Sequence, residues 1–175
     1  MAPVSTSAAR VTPLTITAYD LAERYIGTRE TAGAATSARI KAMLNLDASW
    51  VQDDETPWCS AFVNWIAWHL RLPRSKSLAA RSWLSVGRPV TDYHQAARGF
   101  DVVILKRGAG DQPGPDVLQA PGHVGFFSAW DQVNLGAISA NPGKSVLILG
   151  GNQGNAVTLA PFPVDRILGV RRLLE

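Results

Sequence analysis

The 175 residues, 46% hydrophobic and 18% charged, suit one soluble globular domain with a sizeable core and exclude a disordered chain. The formal charge is only +3, and the basic residues are scattered apart from short clusters at 71–76 and 171–172, so no nucleic-acid-binding face is expected. One cysteine excludes an internal disulfide, and no apolar run approaches the roughly 20 residues that cross a bilayer.

Residues 1–14 are rich in Ser, Ala, Thr and Pro and read as a flexible N-terminal arm ahead of a single domain over 15–175. They lack a basic start followed by an apolar block, so no Sec-type signal peptide is expected. If the protein works outside the cytoplasm, release or a specialised export route must carry it there. From Thr17, "TAYDLAERYIG" spaces Ala18, Leu21, Ala22, Tyr25 and Ile26 as one helical face, with Gly27 as its stop. "TSARIKAMLNL" repeats the pattern with Ile40, Met43 and Leu44, and "DASWVQDDETP" reads as loop.

The run Trp58 to Leu70 is apolar nearly all round, which predicts a centrally buried helix, and Pro57 suits its start. "SLAARSWLSVG" predicts another short helix ending at Gly87. After Gly99 the texture changes. "FDVVILKRG", "HVGFFSAW", "SVLILGG", "AVTLAPF" and "RILGVRRL" are short strand candidates separated by Gly, Asn and Pro clusters, as in an antiparallel meander. Helices first and strands after argue an α+β domain, N-terminal helices packed on a C-terminal antiparallel sheet.

The chemistry centres on "DDETPWCSAFVNW". Cys59 falls in the first turn of the buried helix, where free N–H groups and the positive dipole end favour a thiolate. Taken alone, it is equally a small buried hydrophobe. The three acids before it, Asp53, Asp54 and Glu55, face solvent, or one caps the helix. A nucleophilic thiol needs a base. His69 lies ten residues along the same helix, roughly 15 Å away at about 1.5 Å per residue, which excludes direct proton transfer. His94 sits in a polar connector. His123 opens "GHVGFF" on a strand, a rigid platform that a helix can pack against. Asn152, in "LILGGNQGNAV", has an amide oxygen able to orient the imidazole; Gln153 is a possible donor beside it, and Asn155 reads as a turn residue. Three histidines without metal-type spacing argue against a zinc amidase, and no metal or other cofactor is expected.

The order Cys at a helix start, His at a strand start, Asn after the next strand is that of papain-like cysteine hydrolases. "PWCSAFVNWIAWHLRLPRSKSLAARSWL", "GHVGFF" and "LGGNQGNAV" resemble a bacterial and phage family of cysteine hydrolases related to the CHAP and NlpC peptidoglycan-cleaving enzymes. The resemblance runs from "AERYIGTRETAG" to "GVRRL". It implies a papain-like fold and hydrolysis of an amide bond in the peptide stem or at the sugar–peptide junction through a thioester acyl-enzyme. Cys59 matches the family nucleophile, His123 the base and Asn152 the polar residue that follows. CHAP enzymes often carry an acid two positions before that asparagine; here that position is Gly150, so the third role falls on Asn152 or on a residue that the sequence does not place. Glu30 sits in a family-like stretch that either borders the groove or is plain surface loop. The implied partner is peptidoglycan peptide, with a cognate immunity protein if the chain is a toxin. A non-catalytic wall-binding module and a cysteine transferase on the same fold are the alternatives.

Overall fold

The computed structural model of the chain describes residues 15–31, 37–54, 56–131 and 144–175. The expected arm, residues 1–14, lies outside them, as does Glu55. Three α-helices come first: α1 (Ala18–Glu23), α2 (Ala38–Asn45) and α3 (Cys59–His69). Thr17 caps α1 in a reciprocal capping box with Asp20, and Ser37 caps α2. Helix α1 is shorter than its apolar spacing suggests, because the chain leaves it at Arg24 and turns at Gly27, which has φ +88°.

Helix α3 is the centre of the helical layer. Ala61, Phe62, Val63, Ile66 and Ala67 are all buried on it. Phe62 makes edge-to-face contacts with Tyr25 on one side and Phe126 of the sheet on the other. Two polar residues are buried in this apolar helix as well. Ser60 donates to the Ser77 carbonyl at 2.6 Å, and Asn64 pairs with Ser75, the Lys76 amide and the Ser77 carbonyl. One turn apart, these two pin the 75–77 loop against the helix. At the far end, His69 Nδ1 lies 2.8 Å from the Trp65 carbonyl, a full helix length from Cys59.

The segment expected as a further helix is a 3₁₀ turn, Ala80–Ser85. The Ser82 hydroxyl donates back to the Ala79 carbonyl at 2.6 Å and competes with regular helix bonds, and Ala79 offers no side-chain cap. Arg81 within it is fully buried. It donates to the carbonyls of Pro113, Gly114, Val117 and Pro121 and so fixes the long loop that precedes the histidine strand.

The strands are β1 (Arg88–Pro89), β2 (Asp101–Lys106), β3 (Gly122–Asp131), β4 (Ser145–Gly150), β5 (Thr158–Pro163) and β6 (Ile167–Arg172). All pair antiparallel in the order β1-β6-β2-β3-β4-β5. Strands β2 to β5 form the expected meander. The last strand departs from it and returns to lie between β1 and β2. Asp101 and Arg172 lock that return with a bidentate pair at 2.7 and 2.8 Å, the Asp101 carboxylate being buried.

Alternation along the strands gives the sheet two apolar faces. Val102, Ile104, Val124, Phe126 and Leu149 pack under the helices. Val103, Leu105, Phe127, Val146 and Ile148 form a second cluster with Tyr93, Trp130 and Phe162. The fold is therefore mixed, a helical layer on an antiparallel sheet, and no helix among the described residues is long and apolar enough to cross a membrane.

Candidate active site

Cys59 opens α3, with Trp58 as its N-cap residue. No side chain caps this helix start, so neither Asp53 nor Asp54 takes that role. Asp53 is exposed. Asp54 is buried instead, accepting from the amides of Thr31 at 3.2 Å and Ser37 at 2.9 Å, and it ties the loop before α3 to the loop before α2. Trp58 is core: it is fully buried, its indole packs where any side chain at Gly151 would have to stand, and its N–H donates to Glu30 Oε1 at 2.7 Å. Glu30 is thus a structural acceptor. Its backbone N–H also donates to the Asn155 carbonyl, bringing the 28–30 segment against the turn after β4.

That packing delivers the Cys59 sulfur to the start of β3. The backbone N–H of Val124, the residue after His123, acts on the sulfur in favour of its thiolate, as do the N–H groups of Ser60 and Cys59 itself. Strand β4 pairs with β3 only from Phe126 onward, so His123 and Val124 are paired with β2 on one side and extend past β4 on the other. The thiol is 2% exposed, and among the described residues it makes no hydrogen bond to His123.

His123 is also buried, at 5% exposure. Its ring belongs to the second face of the sheet and stacks on Phe162, centroids 5.1 Å apart and 27° between planes. Its Nε2 lies 3.0 Å from Gln153 Oε1. The Gln153 amide nitrogen is committed elsewhere: it donates to the Thr158 carbonyl at 2.6 Å and hydroxyl at 3.1 Å, with the Ile148 carbonyl at 3.4 Å. The carboxamide therefore presents only its oxygen to the ring. Nε2 carries the proton, and Nδ1 is left as the free base.

The orienting role expected of Asn152 is taken by Gln153. Asn152 sits at φ +58° in a left-handed turn continued by Gly154 and Asn155, and its side chain lines a cavity next to His123 without a hydrogen bond among the described residues. The turn carries the next side chain back to the imidazole. Gly150 explains how it fits. A Cβ at residue 150 would stand 2.9 Å from Gln153 Oε1 and 3.2 Å from His123 Nε2. The space that an acid at that position would occupy is filled by the Gln153 carboxamide. The sequence signal for this was present: a missing side chain at 150 with a glutamine three residues on.

The electrostatics differ from the thiolate expected at a helix start. Burial pushes the Cys59 thiol up, against the opposing pull of the Val124 N–H, the Arg107 charge and the N–H groups of Ser60 and Cys59. His123 is lowered to about 4, chiefly by burial; the Gln153 bond acts in the opposite direction, and Arg107 adds to the lowering. Desolvation dominates both shifts, so at neutral pH the folded site holds a thiol and a neutral imidazole.

The chain matches no protein-family model, no curated protein and no solved structure. What it does is therefore argued from the geometry of Cys59, His123 and Gln153 together with the sequence motifs that carry them.

Proposed function

We propose that the protein is a cysteine hydrolase that cleaves an amide bond in the peptide part of peptidoglycan. The observation that carries this reading is the buried imidazole of His123, held through Nε2 by Gln153 at the start of the strand whose Val124 N–H acts on the Cys59 sulfur. The substrate class rests on the likeness of the Cys59, "GHVGFF" and "GGNQ" segments to peptidoglycan-cleaving cysteine hydrolases.

In this mechanism Nδ1 of His123 takes the Cys59 proton while the sulfur attacks the carbonyl carbon of the scissile amide. The tetrahedral oxyanion is met by backbone N–H at the start of α3, including that of Cys59. The imidazolium then protonates the leaving nitrogen, the C–N bond breaks, and a thioester remains. His123 next takes a proton from water, the hydroxide attacks the thioester, and the carboxylic acid leaves with the thiol restored. The thiol is covered in the resting fold, so substrate binding must uncover it. On this reading the protein acts in the periplasm or cell wall, and an immunity protein is its partner if it serves as a toxin.

Thiol alkylation tests the reading. Iodoacetamide treatment should abolish release of soluble muropeptides from purified peptidoglycan, and EDTA should leave it intact. Loss with EDTA alone would contradict the mechanism. The burial of Cys59 favours a second reading, a wall-binding module without turnover. Sedimentation with peptidoglycan but no released product would select it.

A further inference from the structure

An open cavity of about 470 Å³ lies against His123, and its wall holds three cations, Lys106, Arg107 and Arg166, beside Asn152, Gln153 and Phe162. Among the described residues no carboxylate lines it. None of the three cations forms an ion pair with a described residue; the pairs present are Arg74–Asp47, Arg88–Glu175, Arg98–Glu23 and Arg172–Asp101. Other acids are near. Asp111 and Asp165 line the adjoining cavity together with Lys106 and Arg166, so those two cations are shared between a neutralised and an open side. Arg107 belongs only to the side facing His123. Its charge reaches both reacting groups, opposing protonation of His123 and favouring the thiolate of Cys59.

We infer that this cavity is a carboxylate-recognition site, in which Arg107, with Lys106 and Arg166, selects peptides that carry a free carboxylate beside the scissile amide. The inference rests on the hydrolase reading above. A planar guanidinium offers two parallel N–H donors to a carboxylate. Phe162, already stacked on the imidazole, supplies an apolar wall for the side chain that bears it. Arg107 faces this cavity with no carboxylate of either cavity beside it, and Lys106 and Arg166 are only partly compensated by Asp111 and Asp165 on the adjoining side. An anionic ligand offsets their remaining charge on binding. Arg107 is thereby a specificity-determining residue, and the substrate class narrows from any amide to acidic peptides.

The test uses a disaccharide-tetrapeptide whose stem carboxylates are free and its counterpart with those carboxylates amidated. Wild-type protein should show kcat/KM for the free form about 10–100-fold above the amidated form, the range for a hydrogen bond to a charged group. Arg107→Gln should lower that preference at least tenfold. Arg24→Gln, which removes an exposed charge outside the cavity, should keep it. Equal turnover of both peptides by wild type, or full preference retained in Arg107→Gln and Arg166→Gln, overturns the site. If wild type turns over neither peptide, the hydrolase reading fails and the site is judged by calorimetry with the same two peptides. Tighter binding of the free form that is lost in Arg107→Gln upholds it; equal binding, or none, overturns it.

Discussion

Burying His123 as a neutral ring makes stability depend on pH in a calculable way. The imidazole falls from an ordinary 6.5 to about 4 in the folded protein, principally through desolvation. Between those values the unfolded chain binds a proton that the folded chain refuses, so stability rises with pH across the window. The contribution is fully present above about pH 6.5 and is lost as pH falls towards 4. At about 1.4 kcal/mol per pH unit, the loss between pH 7 and pH 4 comes to about 3 kcal/mol. Carboxylates titrate in the same range, so the wild type must be compared with His123→Gln, which has no titrating ring. Urea unfolding at pH 7 and pH 4 should show wild type losing about 3 kcal/mol more than the variant over that span. Parallel losses would refute the reasoning, because they would mean that the imidazole stays solvated and that no oriented, neutral base exists at the site.

Further expectations concern the groups that build the site. Gln153→Ala removes the acceptor from a buried N–H, and kcat for muropeptide hydrolysis should fall about 10–100-fold with a smaller change in KM. Gly150→Ala places a methyl against the Gln153 oxygen and His123 Nε2, so it should reduce kcat through the same contact. Combined with Gln153→Ala it should cost less than the sum of the two, as a double-mutant cycle will show. Asp54→Ala strands the amides of Thr31 and Ser37 and should destabilise the fold by roughly 2 kcal/mol in urea titration.

Local pattern carried much of the fold. The unbroken apolar run of α3 and the β-branched segments of β2 to β6 read correctly from periodicity, because burial on one or both faces dictates residue type there. Ser82 hid the 3₁₀ geometry of the next turn, since a single hydroxyl-to-carbonyl bond decided it. The insertion of β6 between β1 and β2 was not legible either. It depends on the Asp101–Arg172 pair, 71 residues apart, and no local pattern reports such a partner. At the site, the positions of Cys59 at the start of α3 and of His123 at the start of β3 were legible, whereas the separation of the thiol from the imidazole was not. The exchange of Asn152 for Gln153 turns on a left-handed φ that reverses the chain at residue 152. Asparagine tolerates that conformation, and so the residue that looked like chemistry supplies the bend while its neighbour supplies the oxygen. The protonation states were missed for a related reason. A helix N-terminus is visible in sequence, whereas the depth at which it is buried is not.

The central claim is that Cys59 is the nucleophile. Purified peptidoglycan digested by wild type and by Cys59→Ala, with the products read by mass spectrometry, tests it directly. The account predicts new amine and carboxyl ends from wild type and none from Cys59→Ala, whose circular dichroism should match the parent. Undiminished cleavage by folded Cys59→Ala would contradict it.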